Sequence, residues 1–158
     1  MHIGTLDWNL EALAKELHLS ASDTLEYFRD GRRCSFITER RIAREFIQGR
    51  LAESEGAAYD VFDSQNRKWE VRSLTRGGIY FCPSYMVGSG RKFEEKGFLS
   101  KLSEIEGYFI AKITDFPSIP VYRIESTQVM YWHKSGQLGK NSSVNFSKME
   151  QLLNSLSR

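Results

Sequence analysis

Apolar residues recur first at helical spacing and then at strand spacing along the chain. Leu10, Leu13, Ala14 and Leu17 share one face of a helix predicted over 8–18. Ser20-Ala21-Ser22-Asp23 offers N-caps for a second helix over 24–30, closed by Gly31. Thr38 caps a third helix over 39–53. Its apolar side is Ile42, Ala43, Phe46, Ile47 and Leu51, and its polar side is mostly Arg. The period then drops to two. Residues 57–62 and 68–74 read as strands joined by Ser64-Gln65-Asn66, since Asn tolerates left-handed φ. Gly77-Gly78 breaks the chain, and 79–82 reads as a third strand ended by Pro83. A loop over 85–90 precedes a helix over 91–104, ended by Gly107, and a central apolar strand over 108–113. Strands over 121–125 and 129–133 follow, then a polar loop. In the last helix Ser147 and Glu150 form a capping box, and Met149, Leu152, Leu153 and Leu156 form the stripe. After two leading helices the order is α-β-β-β-α-β with a β-β-α extension, an α/β sandwich on a mixed sheet.

Composition narrows the class. The chain has 158 residues and is 41% apolar, which suits one globular domain. No apolar run approaches the ~20 residues of a membrane span. MHIGTLDWN has no basic region followed by an apolar one, and a cytoplasmic location is expected. No element is expected in these first residues. Cys34 and Cys82 lie far apart and read as small buried residues in a reducing compartment. His2, His18 and His133 are too scattered for a zinc site. Val87-Gly-Ser-Gly90-Arg-Lys lacks the spacing of a phosphate loop, so no nucleotide cofactor is expected.

Net charge is +2 but unevenly placed. Seven Arg face three acids between residues 29 and 50, and eight basic residues face three acids between 64 and 101. Such polarity can present a basic face to a polyanion. Arg40, Arg41, Arg44, Arg91 and Lys92 are the backbone-binding candidates.

The hairpin DVFDSQNRKWEVRS concentrates the chemistry. Lys68, Glu70 and Arg72 share one face of the second strand, and Trp69, Val71 and Ser73 share the other. With the loop at 64–66, Asp63 pairs with Arg67 and Asp60 lies opposite Glu70, at a Cβ separation of ~5 Å. Two carboxylates so close repel unless a cation lies between them. Mg²⁺ suits that position, because it takes one or two carboxylates and keeps waters. Asp63 reads instead as a turn cap.

Asp60, nine intervening residues, then Glu70-Val71-Arg72, on an α-β-β-β-α-β order, resembles the PD-(D/E)xK nuclease superfamily, closest to small type II restriction endonucleases. The resemblance covers about half the chain. It implies a Mg²⁺-dependent, site-specific endonuclease on double-stranded DNA, with Mn²⁺ able to substitute and a homodimer for double-strand breaks. It further implies that Asp60, Glu70 and the Val71 carbonyl hold the metal. The family often adds a Glu from the preceding helix, for which Glu45 matches better than Glu39. Arg72 stands where the family usually has Lys, and Lys68 could supply a shifted lysine. Repair and junction nucleases share the fold, and the family's habit of adding recognition elements to the core makes Gln128, Tyr131, His133 and Lys134 the candidates for base edges. The division implied is an N-terminal helical subdomain over 1–36, for packing, dimerisation or DNA contact, and a nuclease domain over 37–158.

Two other patterns compete. Gly78-Ile79-Tyr80 and Tyr85-Met86-Val87-Gly88 resemble a GIY-YIG nuclease with too short a gap. Residues 10–28 resemble a helix-turn-helix, which would make the chain a DNA-binding regulator without catalysis. Its second helix carries Asp23 and Glu26, where recognition helices place basic or amide side chains.

Overall fold

Residues 1–54 and 59–156 are described by the computed structural model. The elements run β1 (His2–Asp7), α1 (Leu10–Leu17), α2 (Ala21–Phe28), α3 (Gly31–Glu45), β2 (Arg50–Leu51), β3 (Val61–Phe62), β4 (Lys68–Ser73) and β5 (Ile79–Tyr80). They continue α4 (Glu95–Glu104), β6 (Gly107–Ala111), β7 (Ser118–Glu125), α5 (Ser126–Lys134), β8 (Ser143–Val144) and α6 (Phe146–Ser155). Six strands form one sheet in the order β1-β7-β6-β4-β3-β2. Among the described residues only β4 and β6 pair in parallel, and α4 lies in the crossover between them. Every residue of β6 is buried, as expected of a strand covered on both faces.

Side-chain alternation divides the core in two. Trp69, Val71, Phe109 and Ala111 face one side, where Phe28, Cys34, Ile42 and Ala43 of α2 and α3 pack on them. Tyr108, Ile110 and Ile124 face the other, against Phe98 and Leu102 of α4, Val129 and Trp132 of α5, and Met149, Leu152 and Leu153 of α6. The architecture is a mixed α/β fold with helices on both faces of the sheet. No helix among the described residues is long and apolar enough to cross a membrane.

Several elements differ from the sequence expectation. The third helix is Gly31–Glu45, not 39–53. Cys34, Thr38 and Ile42 extend its buried stripe upstream, and the Thr38 hydroxyl bonds the Cys34 and Ser35 carbonyls from inside the helix rather than capping it. Gly31 therefore opens this helix instead of closing the one before. Position 36 falls within it. Gln48, at φ 47°, turns the chain after the helix, and Arg50–Leu51 pairs with Phe62 and Val61 as the edge strand β2. Residues 57 and 58 of the expected strand 57–62 lie outside the described residues. Ile79–Tyr80 leaves the main sheet and pairs with β8. Gly78 permits this approach: its φ is +99°, and a Cβ there would stand 2.1 Å from the Val144 carbonyl oxygen.

The expected strand 129–133 is helix α5. Val129 and Trp132, three residues apart, are its core contacts, so burial at helical spacing outweighed the β-propensity of a Val-Met-Tyr-Trp run. The extension is thus β-α-β-α, not β-β-α. Asn145, not Ser147, caps α6 by accepting from the Lys148 N–H. The N-terminal residues form β1, antiparallel to β7.

The hairpin register is as read from the sequence. Val61 pairs with Trp69 and Phe62 with Lys68, which sets Asp60 opposite Glu70. Asp63 is buried at the turn. Its Oδ1 accepts from the Gln65 and Arg67 amides, and its Oδ2 accepts from Arg67 Nε at 2.7 Å and Trp69 Nε1 at 2.9 Å. These bonds hold its carboxyl below the usual carboxylate range despite burial. Asn66 takes the left-handed φ of 60°. Asp63→Ala should lower stability by about 2–3 kcal/mol, because the Trp69 indole N–H is left buried without its acceptor; the shift of the urea midpoint checks it.

Candidate active site

The site forms where α3, β3, β4 and α4 converge. Trp69 and Val71 anchor β4 to the α3 side of the sheet, so alternation sends Glu70 to the opposite face, where α4 presents Lys101. Glu70 is only 5% exposed and lies between two cations. Its Oε1 meets Arg72 Nη2 at 2.5 Å, and its Oε2 is hydrogen-bonded to Lys101 Nζ. Two cations offset the cost of desolvating that carboxylate. Arg72 Nη2 also reaches the Cys82 carbonyl at 3.4 Å.

Asp60 is held differently. Its Oδ2 accepts the Val71 N–H at 2.7 Å, and among the described residues it forms no ion pair. Burial and the negative charge of Glu70 raise its carboxyl above the ordinary value, outweighing the Val71 amide and the more distant Arg72 and Lys101. Glu39 of α3 faces the same pair. Burial and the charge of Asp60 push its carboxyl up to about 7. Glu39, Asp60, Val71, Arg72 and Ser73 line a cleft of about 590 Å³, bounded beyond them by the Thr75–Gly78 turn and Tyr80. Glu39 and Asp60 also line a smaller recess of about 110 Å³ with Phe36, Arg40 and Tyr59.

The predicted residues separate accordingly. Asp60, Glu70, Val71 and Arg72 come together. Lys68 is exposed on the same strand, its ammonium 4.9 Å above the Tyr59 ring. Glu45 is bound to Arg41 at 2.7 Å and Arg44 at 3.1 Å, which lower its carboxyl to about 2. Glu39, not Glu45, is therefore the α3 carboxylate set against Asp60. Arg41 is committed to Glu45, the Asp7 carbonyl and the Trp8 ring. Arg40 borders the small recess, while Arg44 and Lys92 are exposed. Arg91 donates to the Ser84 carbonyl. His133, on α5 rather than a strand, contacts Glu95 at 2.8 Å and the Phe98 ring, and Lys134 is exposed beside it.

Lys101 was not anticipated. Its signal was present: Phe98, Lys101 and Leu102 stand at i, i+3 and i+4, which puts a lysine on the apolar stripe of α4. No protein-family model, curated protein or solved structure matches this chain.

No group of three or more His, Cys, Asp or Glu side chains arranged to hold a metal occurs among the described residues. The donors that fit a cation are fewer: Asp60, carrying no ion pair of its own among the described residues, and opposite it Glu70, whose two oxygens already meet Arg72 and Lys101. So few oxygen donors, with the Val71 carbonyl, suit only a hard cation that retains most of its waters, and they do not suit zinc.

Glu39 makes the site measurable without a substrate. A carboxyl raised by folding penalises the native state as pH rises from the unfolded value through the folded one. Between pH 4.5 and about 7 wild-type protein should lose about 1–2 kcal/mol relative to Glu39→Gln, a figure reduced for the partial solvent exposure of the group. Urea midpoints of both proteins across that range check it, and parallel curves would mean that Glu39 is not buried beside Asp60.

Proposed function

We propose that this chain is a Mg²⁺-dependent endonuclease acting on double-stranded DNA, of the type II restriction kind. The observation that carries the reading is Asp60, half-buried and lining the cleft, opposite a Glu70 that Arg72 and Lys101 bracket. The sheet supports it. With β5 set aside, because it pairs with β8 outside the main sheet, the elements run α3-β2-β3-β4-α4-β6 with a parallel β4–β6 step, an order compatible with the α-β-β-β-α-β core of PD-(D/E)xK nucleases.

Asp60 and Glu70, with the Val71 carbonyl, would hold Mg²⁺, or Mn²⁺ in its place. When bound, the ion would lower the pKa of a water and stabilise charge on the phosphate. The side chains supply the rest. Arginine does not lose its proton in a protein, so Arg72 is a charge donor to the scissile phosphate and not a base. Lys101 orients Glu70 from α4, a place that Lys68 does not reach. Glu39, titrating near neutrality, is the group suited to take the proton of the attacking water. Arg40, at the recess, would meet the DNA backbone, with Arg44 and Lys92 further out. A homodimer would supply two such sites to a duplex.

The test is cleavage of varied plasmid and phage DNA, methylated and unmethylated, in Mg²⁺, Mn²⁺ or EDTA, beside Glu70→Ala. Discrete fragments that require both the metal and Glu70 are expected. Binding without cutting on every substrate would assign the chain to a non-catalytic DNA-binding role instead.

A further inference from the structure

We infer that, within double-stranded DNA, this site prefers a segment with unpaired nucleotides, whose bases stack on Phe36 and Tyr80. This deepens the nuclease reading and rests on it. A single exposed aromatic residue is ordinary. These two are distinguished by position. Phe36 is 57% exposed and lines the small recess, and Tyr80 is 45% exposed and lines the large cleft. Both concavities include Glu39 and Asp60, so the two rings lie on either side of the same pair of acids.

Their surroundings match a nucleic acid strand. The Arg40 guanidinium lies 3.3 Å from the Phe36 ring centroid and donates to the Phe36 carbonyl, so a fixed cation accompanies the ring. Tyr59 and Lys68 form a second aromatic and cation pair beside the same recess. Each cation lies over one face of its ring, and rings with cations around one recess suit a single strand, whose phosphates meet the charges and whose bases offer their π-faces to the ring surface that stays exposed. In an intact duplex those faces are hidden in the stack, and only base edges are presented. Rings on both sides of the site therefore find partners where the strand is gapped, looped, frayed or flipped.

Fluorescence anisotropy in EDTA tests this, with a short labelled single strand and the same strand in perfect duplex. Phe36→Ala and Tyr80→Ala should each weaken single-strand binding by about 5- to 150-fold, the range for one lost base stack, and move duplex binding less than about two-fold. Phe36→Trp and Tyr80→Phe should keep the wild-type preference, which separates stacking from folding. In Mg²⁺, a duplex with an unpaired loop should be cut faster than the perfect duplex. Equal losses on both DNA forms, or none, overturn the inference. So does a wild-type dimer that sediments as monomer in Phe36→Ala, because the ring then belongs to a subunit interface. Metal-dependent cutting without single-strand preference overturns this inference alone. A protein that neither binds nor cuts any DNA overturns the nuclease reading with it.

Discussion

Asp60→Asn should remove DNA cleavage and make the protein more stable. The two effects share one cause. Asp60 is a desolvated carboxylate facing another carboxylate, with one amide N–H as its direct partner, and its proton affinity is raised accordingly. Asn is isosteric, retains an acceptor for the Val71 N–H and removes the repulsion. At neutral pH the substitution should stabilise by about 0.5–2 kcal/mol, as is usual when a strained functional group is relieved. The sign with pH follows from the raised carboxyl. The penalty is absent at low pH, where Asp60 is protonated both folded and unfolded, and sets in as pH rises through its unfolded and then its folded value. The gain of Asp60→Asn should therefore shrink on acidification. Cleavage should fall by about 10²–10³-fold, the scale of losing one preorganised electrostatic contact to a reacting group. Urea unfolding at neutral and acidic pH, run beside a cleavage time course, checks both halves. A variant that is less stable than wild type would show that Asp60 is held by favourable contacts rather than strained.

Lys101→Met should be the most damaging single change to the site. Lys101 is buried and shares Glu70 with Arg72. Without its ammonium, Glu70 is left deep in the fold with one cation, and removing one partner of a buried ion pair costs about 3–5 kcal/mol. Glu70→Gln removes the carboxylate that Lys101 and Arg72 share. The double variant, with neither charge, should be more stable than the sum of the two losses predicts, because both single changes break the same ion pair and the second breaks nothing further there. A double-mutant cycle by urea unfolding measures this coupling. All variants that lack Glu70 or Lys101 should lose cutting, including the double variant with its recovered fold. That separates the chemistry of the pair from its contribution to stability.

How far the primary structure determined these features varies with the range of the interactions involved. The hairpin register was legible, because it follows from a three-residue loop and a period of two, both local. Asp63 as a turn cap and Asp60 opposite Glu70 came with it. The leading helices were legible, the first from its apolar stripe and the second from its cap, since Ser20 does cap α2; the Asn9 cap of α1 was not read. Features settled by packing were not. Gly31–Glu45 became one helix because Cys34, Thr38 and Ile42 all found the same face of the sheet to cover, which a capping signal at Thr38 cannot reveal. Residues 129–133 became a helix because Val129 and Trp132 meet the α4 side of the core, although their residue types favour strands. His2–Asp7 gained a role only when the edge of β7 was there to pair with it.

The candidate site divides in the same way. Asp60, Glu70 and Arg72 lie within one hairpin and could be grouped from spacing alone. Glu39 and Lys101 lie on separate helices and reach that group only through the fold. Lys101 is 31 residues from Glu70, brought beside it by the parallel crossover through α4. Spacing along the chain can state which side chains share a strand face. Which helix turns a charge toward that face is decided by burial on both sides of the sheet, a property of the assembled core that no local segment carries.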